Sequence, residues 1–130
     1  MKSKLILMCA AMAILLGLFA CSSEVAVDAS YNGKEIKVPV GGSLTITLEL
    51  NATTGFQWEL AGITDQTVLE KVDNKYEASE AGAPIGAAGR EVWTFRTLKE
   101  GESIISMEYS RPWEGGEKAA KTFSLIVVVE

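Results

Sequence analysis

Alternating hydrophobic and polar residues dominate this chain, and the clearest example is the segment 43–50 (SLTITLEL). Every second residue of this segment, starting at Leu44, is Leu or Ile, and most of the intervening positions hold Thr or Glu. A period of two predicts a strand with one buried and one solvent-facing side. The alternation stops at Asn51 and resumes with Phe56 and Trp58, and the residues between are mostly small or polar. They fit an ordinary β-turn or a binding loop on a rigid scaffold.

Other segments show the same alternation less strongly, and turn residues separate them. The predicted strands are 25–30, 34–40, 43–50, a segment that starts at Phe56, 67–76, 90–98, 103–110 and 122–129. About eight short strands without a helical period predict an all-β sandwich. The last segment is apolar enough for a central place in a sheet. Trp58 and Trp93 lie within strand patterns, so we expect both in the core.

The connections between these strands carry further information. Asn32-Gly33 separates the first two strands and predicts a tight hairpin. If successive strands run in opposite directions, the connections after the third, fifth and seventh strands lie at one end of the sandwich. These connections are residues 51–55, 77–89 and 111–118, which have the most unusual compositions in the domain. The first strand then starts at the opposite end.

The N-terminal segment has the pattern of a secretory signal. Lys2 and Lys4 precede an apolar run, which ends in Leu18-Phe19-Ala20-Cys21. This ending resembles the lipobox of bacterial lipoproteins, in which the signal is cleaved before the Cys and lipid is attached to its sulfur. An uncleaved membrane anchor is the alternative, because the run falls just short of the roughly 17 residues that span a bilayer.

The domain organisation follows from this pattern. We predict a signal peptide at 1–20, then a lipidated Cys21 with a tether and first strand over 21–30, and a folded domain over 31–130. Lipid on Cys21 anchors the domain outside the cytoplasm, on a bacterial-type cell membrane or outer membrane. Cys9 lies in the signal, so we expect no disulfide in the mature domain.

Composition narrows the possible chemistry. The chain contains no histidine, which excludes histidine-based catalytic triads and most zinc sites. We therefore predict that the protein is not an enzyme and uses no metal, no cofactor and no small-molecule substrate. Acidic side chains outnumber basic ones by 17 to 12, so we expect no nucleic-acid partner.

Three connections carry motifs that resemble those of the chagasin family, which are immunoglobulin-like inhibitors of papain-family cysteine proteases. Residues 51–56 (NATTGF) resemble the NPTTG loop, 86–89 (GAAG) the glycine-rich central loop, and 111–113 (RPW) the RPW loop. The motifs occur in the family's order, and the resemblance extends over 31–130. It implies an immunoglobulin-like antiparallel β-sandwich of about eight strands. Ala52 departs from the pattern, because the family usually has Pro there, and Pro restricts φ.

The resemblance also implies a function, namely reversible, non-covalent inhibition of a papain-family cysteine protease by a monomer. In the family the central loop covers the catalytic cysteine while the outer loops grip either side. Gly and Ala in the middle allow close backbone approach, and an exposed Trp113 is suited to an interface hot spot. The implied protease-binding residues are Asn51, Ala52, Thr53, Thr54, Gly55, Phe56, Gly86, Ala87, Ala88, Gly89, Arg111, Pro112 and Trp113.

Other functions stay open at this stage. A lipid-anchored structural or adhesive module of the cell envelope can use the same sandwich. The segment 86–89 also fits a flexible connector. A carboxylate-based hydrolase is disfavoured, because the sequence shows no paired-carboxylate motif.

Overall fold

The computed structural model describes residues 23–79, 82 and 88–130. Within these residues the chain forms eight strands and two short 3-10 turns, and the strands build two four-stranded sheets. The strands are β1 (Glu24–Asp28), β2 (Lys34–Val38), β3 (Ser43–Leu50), β4 (Gln57–Ile63), β5 (Leu69–Glu77), β6 (Gly89–Thr97), β7 (Gly101–Ser110) and β8 (Lys121–Val129). The predicted all-β sandwich is confirmed. The predicted signal peptide and Cys21 lie outside the described residues.

The two sheets have the orders β1-β3-β6-β5 and β2-β8-β7-β4. Neighbouring strands are antiparallel except at one edge of each sheet, where β1 runs parallel to β3 and β2 runs parallel to β8. The predicted interior position of the last strand is confirmed, because β8 has a neighbour on each side. In the described part of the chain, no helix is long and apolar enough to span a bilayer.

Strand direction alternates along the chain, as the sequence predicts. The connections that follow β3, β5 and β7 therefore leave the sandwich at the same end. We call them the first loop (51–56), the central loop (78–88) and the third loop (111–120). Glu24, the first residue of β1, lies opposite Ser43, the first residue of β3. The chain thus enters the sandwich at the end opposite the three loops.

The predicted hairpin at Asn32-Gly33 is wrong, because β1 and β2 belong to different sheets. Asn32 has φ −54° and ψ 125°, and Gly33 has φ 79°. These dihedrals match a type II turn. A two-residue hairpin needs a type I′ or II′ turn, since types I and II splay the flanking strands. This turn and the 3-10 turn Ala29–Tyr31 carry the chain from one sheet to the other.

The core lies between the sheets and consists of the inward residues of the alternating strands. The side chains buried there include Ile46, Leu48, Trp58, Trp93, Phe95, Ile105, Met107, Tyr109, Phe123, Leu125 and Val127. Trp58 and Trp93 are only 7% and 4% exposed, so their predicted core positions are confirmed. Burial of these apolar surfaces is the main source of stability in such a sandwich.

One carboxylate interrupts the apolar inner face of β6. Glu91 lies between Gly89 and Trp93 on that face and is 7% exposed. Its Oε2 accepts the backbone N–H of Trp58 at 3.2 Å, and its carboxylate also forms a hydrogen bond with the side chain of Asn74 on β5. Burial raises the pKa of Glu91, and the two hydrogen bonds and the nearby charge of Lys71 oppose that rise.

The position of Trp58 explains why the carboxylate is there. Trp58 belongs to β4, the edge strand of its sheet, and an edge strand has backbone groups on its free side that no neighbouring strand can satisfy. Glu91 reaches across from the other sheet and supplies the missing acceptor. A buried N–H without an acceptor costs about 1 to 3 kcal/mol.

We predict that Glu91→Gln changes how stability depends on pH. A raised pKa means that the folded state holds the proton more tightly than the unfolded chain. The resulting stability is fully present below the ordinary pKa value of 4.5 and is lost as pH rises through the raised pKa. Glutamine remains neutral at every pH. We expect the variant to have the larger free energy of unfolding at pH 7.

The measurement is urea unfolding of both proteins at several pH values between 4 and 7, a range chosen around the ordinary pKa of a glutamate. The advantage of the variant should shrink as pH falls. An advantage that grows toward low pH would contradict the assignment.

Candidate functional site

The first loop holds its shape through its own hydrogen bonds. Asn51 Oδ1 accepts the backbone N–H and the hydroxyl of Thr53, at 3.1 and 2.6 Å. The Asn51 carbonyl oxygen accepts the backbone N–H of Thr54 at 3.2 Å and its hydroxyl at 2.7 Å. These bonds cap the 3-10 turn Ala52–Thr54. The loop is therefore ordered locally even though Ala52 lacks the φ restriction of proline.

Tyr109, near the end of β7, joins the first loop to the stem of the third loop. Its hydroxyl oxygen accepts the backbone N–H of Asn51 at 3.0 Å. Its ring stacks on Phe56, with the centroids 5.0 Å apart and the planes at 15°. The same ring packs at 5.1 Å against Trp58 in a tilted arrangement. One tyrosine thus contacts both ends of the first loop.

Arg111 strengthens this connection. Its Nε donates to the carbonyl oxygen of Thr54 at 3.1 Å, and its guanidinium lies 4.5 Å from the centroid of the Phe56 ring. A cation over an aromatic face is attracted by the ring quadrupole. Arg111 and Phe56 are both partly buried, so each supports the loops from within as well as lying among the predicted binding residues.

Trp113 is largely exposed to solvent. It is 51% exposed, and its ring lies directly over Gly55, where an added Cβ would be 2.3 Å from the ring atom Cη2. Gly55 also has φ +81°, which side chains rarely adopt. Lys118 Nζ donates to the carbonyl oxygens of Arg111 and Trp113 at 2.5 and 3.2 Å. The first and third loops therefore form one unit that presents Trp113 to solvent.

The central loop is described only in part. Gly86 and Ala87 lie outside the described residues, whereas Ala88 is exposed and Gly89 is buried at the start of β6. A Cβ on Gly89 would lie 2.7 Å from the Tyr76 ring and 2.7 Å from the carbonyl oxygen of Glu77. Glycine therefore allows Tyr76, at the end of β5, to cover the base of the loop.

A cleft of about 780 Å³ lies between the edge strands β4 and β5, beside the first and third loops. Its lining includes the exposed rings of Trp113 and Tyr76, which are 51% and 52% exposed. The buried side chains of Glu91 and Trp93 also line it. The described residues contain no group of His, Cys, Asp or Glu side chains that could hold a metal ion.

Sequence reasoning missed three residues that organise this region, namely Tyr76, Glu91 and Tyr109. The sequence pattern could have pointed to Glu91, because this carboxylate occupies an inward position of an apolar alternation. The pattern points only weakly to Tyr109 and Tyr76. Each is an aromatic residue at the end of a strand, and its partners are identified only once the sheets are assembled.

Comparisons with known proteins agree with this geometry. The family model described as "Chagasin family peptidase inhibitor I42" matches residues 37–127. Chagasin of Trypanosoma cruzi is 31% identical over 102 residues, which cover 76% of this chain and 92% of chagasin.

Two solved structures show the same fold. The crystal structure of the cysteine protease inhibitor EhICP2 from Entamoeba histolytica has a TM-score of 0.74 and 19% identity, and covers 85% of this chain and 98% of that one. The structure of PbICP-C in complex with falcipain-2 has a TM-score of 0.54 and 25% identity, and covers 84% and 91% of the two chains. The family match spans most of the sandwich, from β2 to β8. This chain belongs to the chagasin family of peptidase inhibitors.

Proposed function

We propose that this protein inhibits papain-like cysteine proteases by placing the three loops at one end of the sandwich in the active-site cleft of the enzyme. The observation that carries this proposal is the unit formed by the first and third loops, which presents Trp113 at the same end as the central loop. Two similar proteins support the choice of target. EhICP2 is a cysteine protease inhibitor, and PbICP-C forms a complex with falcipain-2.

The geometry suits inhibition by occlusion. Ordering a loop on binding costs conformational entropy, and a loop that is ordered beforehand avoids much of that cost. Asn51, Tyr109 and Arg111 order the first and third loops in the free protein. The complex is held by surface contacts alone, so inhibition is reversible and non-covalent and needs no cofactor.

The direct test is a titration of papain with this protein, using hydrolysis of a fluorogenic peptide as the readout. We expect inhibition that dilution reverses, since no covalent bond forms. Trypsin, a serine protease, is the control and should be unaffected. Full papain activity at micromolar concentrations of the protein would mean that the binding free energy is smaller than about 8 kcal/mol. That result would contradict the proposal and favour a structural or adhesive role.

Trp113→Ala should weaken inhibition by about 2 kcal/mol or more, roughly thirtyfold, because an exposed aromatic anchor is the usual form of an interface hot spot. The fold should survive, since half of the ring is in solvent. Inhibition constants and melting temperatures are measured together. Leu98→Ala is the matched control, because Leu98 is 39% exposed and lies in the β6–β7 turn, away from the loops. Unchanged inhibition with a large loss of stability would show that Trp113 is a core residue.

We further propose that residues 1–20 are a lipoprotein signal, that lipid is attached to Cys21, and that the inhibitor acts outside the cytoplasm. The order of a basic start, an apolar run and a Cys supports the proposal. The fold is compatible with it, because β1 begins at Glu24, at the end of the sandwich opposite the loops. An anchor at Cys21 would leave the loops facing away from the membrane.

Cys21→Ser should release the domain from membranes, because serine lacks the thiol that accepts the lipid. The measurement is the distribution of the protein between soluble and membrane fractions of the expressing bacterium after a high-salt wash. Ser22→Ala is the control and should stay in the membrane fraction. Retention of the Cys21→Ser variant in the membrane would favour the uncleaved anchor instead.

A further inference from the structure

We propose that Glu91 is a positioning residue for inhibition, and that its carboxylate fixes β4, and with it the unit formed by the first and third loops, relative to the described base of the central loop at Ala88 and Gly89. The expected effect on protease inhibition rests on the proposed function, whereas the expected effect on the distance between the loops does not.

Different contacts hold the three loops. Tyr109, Arg111 and Trp113 tie the first loop to the third. The central loop instead connects β5 to β6, which are neighbours in the sheet that also contains β3, the strand before the first loop. On the β5–β6 side, Tyr76 packs on Gly89 and an exposed ion pair joins Arg90 to Glu77 at 3.2 Å. Backbone pairing of Leu50 with Gly89 joins this side to the β3 stem of the first loop. None of these contacts reaches the β4 stem of the first loop.

Glu91 lies where the β4 stem of the first loop meets the base of the central loop. It follows Gly89, the last residue of the central-loop motif, by two positions, and its hydrogen-bond partner Trp58 follows Gly55 by three. The hydrogen bond therefore crosses the cleft at the base of both loops. Trp58 is itself fixed, because its indole Nε1 donates to the carbonyl oxygen of Glu49 at 3.0 Å on the other stem of the first loop.

The hydrogen bond from Trp58 has to offset the cost of burying this carboxylate. A buried charge is costly, and apolar side chains of similar volume usually serve a core as well or better. Burial does raise the pKa of Glu91, which is the signature of that cost. An apolar residue would, however, leave the Trp58 N–H without its acceptor and β4 without this directional contact to β6 beside the loops. Directional hydrogen bonds fix a distance in a way that apolar packing does not.

The first experiment compares Glu91→Ala with Glu91→Gln in protease titrations. Glutamine keeps an oxygen for the Trp58 N–H, and Asn74 can turn its amide to present an oxygen to the new NH2 group. We expect Glu91→Ala to weaken inhibition at least tenfold. The inhibition constant of Glu91→Gln should stay within about threefold of the wild-type value, a change too small to indicate a lost contact.

Val68→Ala is the control for a general loss of stability. Val68 is 2% exposed and packs near Gly101, at the end of the sandwich away from the loops. It should lower the melting temperature without changing inhibition. If Val68→Ala and Glu91→Ala weaken inhibition in proportion to their loss of stability, Glu91 is merely structural and the inference fails.

The second experiment measures loop geometry without any protease. Spin labels are placed at Ala88→Cys and Glu114→Cys, two exposed positions on the central and third loops, in a chain whose Cys9 and Cys21 are replaced by serine. The distance distribution should be narrow in the wild type and in Glu91→Gln, and broader or shifted in Glu91→Ala. An identical distribution in all three would overturn the inference, whether or not the protein inhibits a protease.

Asn74→Ala provides a second variant if Glu91→Ala does not fold. It removes the other partner of the carboxylate from an exposed position on β5. We expect a smaller broadening of the same distribution, and no broadening would again count against the inference. Failure of papain inhibition by the wild type, with the expected broadening present, would overturn the proposed target while leaving the positioning role intact.

Discussion

The stacking of Tyr109 on Phe56 holds together two loops that are far apart in the sequence. Among the described residues, this aromatic contact and one hydroxyl hydrogen bond fix the first loop to β7. Because Tyr109 is buried at the top of the core, the rigidity of the sandwich extends directly into the first loop. Arg111 and Trp113 then pack on the first loop, which is already held in place.

This arrangement changes how the predicted binding residues should be understood. Trp113 and Thr53 are exposed and available to a partner, whereas Phe56, Arg111 and Gly89 are wholly or partly enclosed by other parts of the loops. The three motifs of this chain therefore combine residues of two kinds. Under the proposed function, the exposed residues meet the protease and the enclosed residues hold them in a fixed position. A substitution at either kind would then lower affinity, but only a substitution at an enclosed residue would alter the free protein.

Much of the fold could be predicted from the sequence, because strand alternation and turn residues are local signals. The strands, their alternating directions and the buried positions of Trp58 and Trp93 all follow from them. The hairpin at Asn32-Gly33 was wrong because a dipeptide does not determine its dihedrals, and the turn formed is type II rather than type I′. The contact between Glu91 and Trp58 could not be predicted, since it joins strands of different sheets.

The pairing of β2 with β8 has a consequence for the order of folding. β2 lies near the start of the domain, yet its partner in the sheet is the last strand of the chain, and the two run parallel. Such non-local pairing forms late, because the entropy of closing a long loop must be overcome first. The second sheet therefore cannot be completed until β8 has been synthesised. Late completion would suit the export leader proposed above, since it keeps the polypeptide open until β8 has emerged.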